Sequence, residues 1–185
     1  IDGQTVRQRV RMSIGGTQLR VRLSNELSAS PLTIGSASIA VAKDASTVEP
    51  ASLRQLTFGG QSSVSIPAGA PILSDPVDLQ VAPGAQVGIS LFFPERVTSN
   101  TLHSLALKRA VVSTPGDHTR ETSIAPAATS TSSIAISAVL VPQARAQRLL
   151  VAFGDSITDG AGSTTDADRS WPAQFAQRVA ATDPG

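Results

Sequence analysis

Cysteine and tyrosine are absent from this chain, and its aromatic residues are limited to five Phe and one Trp. Lack of cysteine excludes disulfides, metal–thiolate sites and a cysteine nucleophile. Lack of aromatics among the cations excludes the stacking platforms that single-stranded nucleic acids use. Residues 1–142 contain neither Trp nor Tyr, the flat side chains that sugar-binding modules present to pyranose rings, which argues against a dedicated carbohydrate module. One-signed charge is also missing: 15 Lys and Arg stand against 14 Asp and Glu, a net charge of +1. Such a balance gives no strong field for nucleic acid or an anionic membrane. No apolar run approaches the roughly 18 residues of a membrane-spanning helix. The opening IDGQTVRQRV has neither the charged nor the apolar region of a secretory leader, so any leader is expected to have been removed or never to have existed.

What the sequence does have is Ser, Thr, Ala and Val in quantity, with 14 Gly and 12 Pro. That mixture favours short strands and tight turns. In TVRQRVRMSI the apolar positions Val6, Val10, Met12 and Ile14 alternate with Arg7, Arg9 and Arg11. TQLRVRLSN repeats the alternation with Leu19, Val21 and Leu23 against Arg20 and Arg22. Period two on either side of a Gly-Gly turn predicts an antiparallel hairpin with one buried and one wet face. The same period marks Leu32, Ile34, Ile39 and Val41, then Leu56 and Phe58, then Val64 and Ile66. It continues through Val77, Leu79 and Val81, through Val87, Ile89 and Leu91, and through Ile134, Ile136, Ala138 and Leu140. Short strands at this spacing predict an all-β sandwich of jelly-roll type over residues 1–142.

The pattern then changes. Residues 143–148 are polar and read as a linker. LLVAF, residues 149–153, is apolar without alternation, the signature of a strand buried on both faces in a parallel α/β sheet. RSWPAQFAQRVAA predicts a helix, with Ser170 as N-cap, Pro172 in the first turn, and Trp171, Phe175 and Val179 on one face. Residues 149–185 thus read as the opening of an α/β domain. One strand and one helix bury too little surface to stand alone, so further polypeptide is expected to complete it.

Between that strand and helix lies FGDSITDG, residues 153–160. Ligands of open α/β sheets bind at the carboxyl ends of the strands, where Ser156 falls. A serine hydroxyl becomes a nucleophile once a base takes its proton and N–H donors receive the oxyanion. Gly154 permits a sharp turn beside Ser156, and Asp155 and Asp159 are suited to fix the loop by accepting backbone N–H bonds. Rival motifs fail. GxSxG needs glycine where Thr158 stands, the phosphate loop needs a lysine and none follows Lys108, and GxGxxG needs glycine at Thr165.

FGDSITDG together with GSTTDADRSWP resembles the first sequence block of the SGNH (GDSL-type) hydrolases. TVRQRVRMSIGGTQLRVRLSNELSASPLTIG, with TFGG, IPAG and SDPVDL, is similar to the N-terminal β domain of a bacterial, secreted-type branch of that family. The resemblance implies a three-layer α/β hydrolase domain after the β domain, and a location outside the cytoplasm. It implies that Ser156 is the nucleophile and that its own N–H helps form the oxyanion hole. The family's other oxyanion donors, a glycine and an asparagine, and its DxxH aspartate and histidine lie in later blocks that have no match in these residues. The expected function is therefore a serine esterase or lipase acting on a lipid, acetylated sugar or small ester, with the catalytic His and Asp brought by other polypeptide and these 185 residues inactive alone. The alternative is a non-catalytic β-sandwich interaction module carrying a hydrolase remnant. No cofactor or metal is implied. His103 and His118, the only histidines, lack metal-ligand spacing and read as loop or turn residues rather than as the base. The arginines of the first hairpin read as a solvated face, with docking against the hydrolase domain or an anionic polymer as the alternative.

Overall fold

The computed structural model describes residues 1–98, 100–144 and 150–182. Fourteen strands lie among them. In chain order they are β1 (Gln4–Arg11), β2 (Gly16–Ser24), β3 (Leu32–Ile34), β4 (Ser36–Val41), β5 (Arg54–Gln55), β6 (Val64–Ile66) and β7 (Pro71–Leu73). They continue with β8 (Val77–Val81), β9 (Gln86–Phe93), β10 (Leu102–His103), β11 (Ala110–Pro115), β12 (Pro126–Ser130), β13 (Ser133–Ile134) and β14 (Ile136–Leu140). Two helices follow, α1 (Ser156–Asp159) and α2 (Trp171–Thr182). No helix among the described residues is long and apolar enough to cross a membrane.

Several antiparallel sheets make up the β region. The largest has six strands in the order β12-β11-β1-β9-β4-β5. A second has the order β14-β2-β7, with β8 also pairing β2. Val6, Ile39, Val87, Ile89 and Leu91 of the first sheet and Leu19, Val21 and Leu23 of the second belong to one buried apolar cluster. Two sheets sharing one core are consistent with a β-sandwich. The alternation in the sequence marks this core well, because period two puts every second residue on the inner face.

Most expected runs form strands, but β7, β10, β11 and β12 lie outside the alternating runs. The strand expected at Leu56 and Phe58 falls instead at Arg54–Gln55, and the first two strands do not form a hairpin. β1 pairs with β9 and β11, whereas β2 pairs with β14, β7 and β8. The connection Met12–Gly15 therefore carries the chain from one sheet to the other. Met12 N–H donates to Ala85 O and Gly84 N–H to Met12 O, which ties this crossover to the equivalent one between β8 and β9.

The outer face of the six-stranded sheet is not wet either. Thr5, Arg7, Ser36, Ser38 and Ser90 are all buried. Segments 44–48 and 117–124 lie across them as a roof. Ser38 Oγ donates to Thr119 O at 2.6 Å, and Ser36 Oγ and Thr119 Oγ1 share a hydrogen bond of 2.6 Å. The two roof segments join where Val48 N–H donates to Thr122 O and Ile124 N–H to Ser46 O. Arg7, expected on a solvated face, is 0% exposed. Its guanidinium makes four hydrogen bonds, to Ser90 Oγ and to the carbonyls of Ser46, Glu121 and Thr122. Burial lowers its pKa to about 10, which leaves it charged at neutral pH.

In the last strand the expected inward set shifts. The register breaks between Ile136 and Ala138, and Leu140 is 44% exposed while Val139 and Val141 pack on the core. A bulge adds one residue and so exchanges the faces beyond it.

The linker expected at 143–148 lies mostly outside the described residues. LLVAF does not form the expected strand over its described part: residues 150–153 have no strand assignment, and Leu150, Val151 and Phe153 are 63%, 74% and 96% exposed. A strand buried on two faces needs partner strands and covering layers, and no α/β sheet stands beside it among the described residues. The helix was placed correctly, as α2. Its apolar stripe is open: Trp171, Phe175 and Val179 are 47%, 42% and 44% exposed.

Candidate functional site

The GDSITDG segment folds as a short helix with a cap at each end. Asp155 is extended, and its carboxylate accepts the Ile157 N–H at 3.0 Å, satisfying one of the donors a helix start leaves open. Gly160 closes the turn with φ 115°, a conformation that favours glycine, while its N–H donates to Ser156 O. Ala161 N–H donates to the same carbonyl at 2.7 Å. Gly154 is required by close approach rather than by φ, since a Cβ there would overlap the Thr158 side chain.

Ser156 is the first residue of α1 and is exposed. Asp155 takes the Ile157 N–H, so the Ser156 N–H at the helix start has no partner among the described residues. Among the described residues neither the hydroxyl nor the backbone donor of Ser156 has a partner. That arrangement lets a single serine attack a carbonyl and help receive the oxyanion that forms.

Asp155 fixes the loop as its residue type suggested. Asp159 does something else: among the described residues its carboxylate accepts no backbone N–H bond but faces His103, whose Nε2 lies 2.9 Å from Oδ1 and 2.8 Å from Oδ2. A carboxylate is acceptor-only, so the ring proton in this pair sits on Nε2. His103 is therefore part of the site's surroundings, a role its place in TLHSLAL did not suggest. The two residues are separated by 56 positions, and no local spacing signals them.

The loop after α1 is anchored to the β region by two further aspartates. Asp166 accepts from the Arg9 guanidinium and from the Arg109 backbone N–H, the latter at 2.8 Å, and its own N–H donates to Leu107 O at 2.9 Å. Lys108 Nζ pairs with Asp168 Oδ1 at 2.7 Å, an ion pair largely shielded from solvent. Gln86 Nε2 donates to Asp168 Oδ2 at 3.3 Å, and Gln174 Nε2 of α2 donates to Asp168 O at 2.9 Å. Arg9, expected on a solvated face, thus binds the loop after α1 instead. Arg20 and Arg22 stay local, donating to Ser74 O and to Ser137 Oγ and Glu26.

Trp171 Nε1 donates to Thr158 Oγ1 at 3.3 Å, which ties α2 back to α1. Trp171 and Phe175, with Arg169, Gln174 and Arg178, line a groove of about 390 Å³ on the open side of α2. His118 lies elsewhere, beside the roof: its Nδ1 is 2.8 Å from Glu121 Oε1, and its backbone N–H donates to Thr5 Oγ1. The Glu121 hydrogen bond raises the His118 pKa above 6.5. Among the described residues no group of His, Asp and Glu has the geometry to hold a metal ion.

Comparison with protein-family models and with curated proteins finds no match to this chain.

Proposed function

We propose that this chain carries the nucleophile of a carboxylic ester hydrolase. The observation that supports it most directly is the exposed Ser156 at the start of the capped helix α1, with its own N–H unengaged among the described residues. The likeness of FGDSITDG and GSTTDADRSWP to the first SGNH block points the same way.

In this reading Ser156 Oγ attacks the ester carbonyl carbon while a histidine from further polypeptide takes its proton and an aspartate orients that histidine. The tetrahedral oxyanion receives the Ser156 N–H. On collapse the alkoxide leaves with the proton from the histidine, and water then releases the acyl group by the same route. The open apolar groups on either side of α1, Leu150, Val151 and Phe153 before it and Trp171, Phe175 and Val179 after it, are the surfaces that the first strand and first helix of an α/β hydrolase domain bury. The protein acts outside the cytoplasm on a lipid, acetylated sugar or small ester.

The test is fluorophosphonate labelling of the longest natural polypeptide containing this chain, read by peptide mass spectrometry. Label on Ser156, lost in S156A together with ester hydrolysis, is expected. Hydrolysis that survives S156A, or a folded protein that takes no label, overturns the reading and leaves the β region as an interaction module.

A further inference from the structure

We infer that His103 is a positioning residue for Ser156: through the Asp159 carboxylate, the β region sets the orientation of the helix that carries the nucleophile. The inference rests on Ser156 being that nucleophile.

Asp159 stands three residues after Ser156 on a helix of only four residues, so whatever fixes its side chain fixes the pitch and rotation of that turn. An isolated turn of this length has no stability of its own. Its position must come from contacts, and the two-oxygen contact with His103 is one it makes on the same helical face as Ser156.

His103 itself is held by a relay that ends in the core. It lies on β10, which pairs with β13 through Leu102↔Ile134 and His103↔Ser133. Ile134 is locked to β1 by the buried Gln8 side chain, which donates from Nε2 to Ile134 O at 3.0 Å and accepts the Ile134 N–H at 2.6 Å. β1 lies inside the six-stranded sheet, between β11 and β9. A run of strand pairing and hydrogen bonds thus extends from the sandwich to the carboxylate one helical turn from the nucleophile.

Backbone strain gathers beside this contact. Of the four non-glycine residues with positive φ among the described residues, three are Leu107 at 54°, Asp166 at 65° and Asp168 at 51°. All three belong to the two loops that meet here, with Asp166 N–H on Leu107 O and Leu107 against the buried Gly160. Conformations of this kind persist where the surroundings over-determine them, and here they set the path of the chain just beyond α1.

The test uses H103L and H103Q in the longest natural polypeptide that contains this chain. Glutamine keeps an N–H donor near the place of Nε2, and leucine does not. For H103L, kcat on an aryl ester is expected to fall about tenfold with KM within about twofold, because a misplaced nucleophile loses rate rather than ground-state binding. Fluorophosphonate labelling of Ser156 slows in step, and H103Q restores both. A labelled, active wild type whose H103L variant keeps its kcat and labelling rate overturns this inference alone, as does equal loss in both variants. A wild type that takes no label at Ser156 overturns the nucleophile reading and this inference with it. Should H103L prove unfolded, D159A, which removes the carboxylate and leaves His103, is judged by the same criteria.

Discussion

Arg7 and Ser90 face each other across β1 and β9, and the Arg7 Nε donates to Ser90 Oγ at 2.8 Å inside the protein. The rest of the guanidinium is spent on three backbone carbonyls of the roof, from Ser46, Glu121 and Thr122. Among the described residues no carboxylate forms an ion pair with it; Glu121 and Asp44 act only from a distance, and peptide dipoles solvate the charge directly. The arginine therefore serves as the fastener between the outer face of the sheet and two loops that would otherwise leave carbonyls buried without donors.

R7A is expected to destabilise the fold by about 3–5 kcal/mol, since it leaves buried acceptors unpaired and opens a cavity the size of a long side chain. R7K is expected to lose most of the same stability, because an ammonium cannot span acceptors arranged around a planar five-donor group. Urea denaturation followed by tryptophan-independent far-UV circular dichroism measures both. An R7K midpoint equal to wild type would contradict the account.

His118 gives the roof a pH dependence. The hydrogen bond that the His118 ring donates to Glu121 raises its folded pKa above the unfolded 6.5. A raised basic group stabilises fully below the unfolded value and loses that contribution as pH rises through the folded value. Stability measured at about pH 6 should therefore exceed that at about pH 9 by more in wild type than in E121Q. Parallel pH profiles of the two proteins would remove the contribution assigned to the pair.

Asp166 is where the loop after α1 meets the β region, receiving Arg9 and the Arg109 N–H together. D166A is expected to leave global stability within about 2 kcal/mol of wild type, because the Arg9 side chain is only partly buried and its pairing is offset by desolvation. It should nevertheless open residues 159–168 locally. Amide hydrogen exchange in that loop is the measurement, with protection lost by about tenfold or more while β1 and β9 stay protected. Unchanged exchange across 159–168 would show that the aspartate is not the anchor.

Where apolar residues alternate, strands and their inner faces were legible because alternation is local: Val6, Leu19, Ile39 and Ile89 announce their side of the sheet within a few residues of themselves, whereas β11 and β12 carry no such alternating run. Pairing was not, since nothing near the Gly15-Gly16 turn tells whether the chain folds back on itself or crosses to another sheet. The roof was invisible for the same reason. Arg7 looks like any solvated arginine until carbonyls 39, 114 and 115 positions away are brought to it. At the site, the Asp155 bond is legible because its partner is two residues on, whereas Asp159, suited by type to a local bond, instead meets His103 across 56 positions. The strand expected of LLVAF depends on neighbours, and periodicity within five residues cannot supply them.

The exposed apolar segments give the sharpest contrast between these 185 residues alone and any larger protein that contains them. Val151 and Phe153 are 74% and 96% exposed, so in the isolated chain they have almost no burial to lose. A V151S/F153S double variant of the isolated chain should then keep its unfolding free energy within about 0.5 kcal/mol of wild type. In the proposed hydrolase the same two side chains sit inside a parallel sheet, where exchanging each for serine forfeits its transfer energy and leaves a cavity, about 2–4 kcal/mol apiece. Urea midpoints of the double variant in the two contexts decide the matter. A large loss in the long form with none in the short one means the segment is a strand waiting for its neighbours, while equal and negligible losses in both mean that LLVAF remains at the surface and that no sheet forms around it.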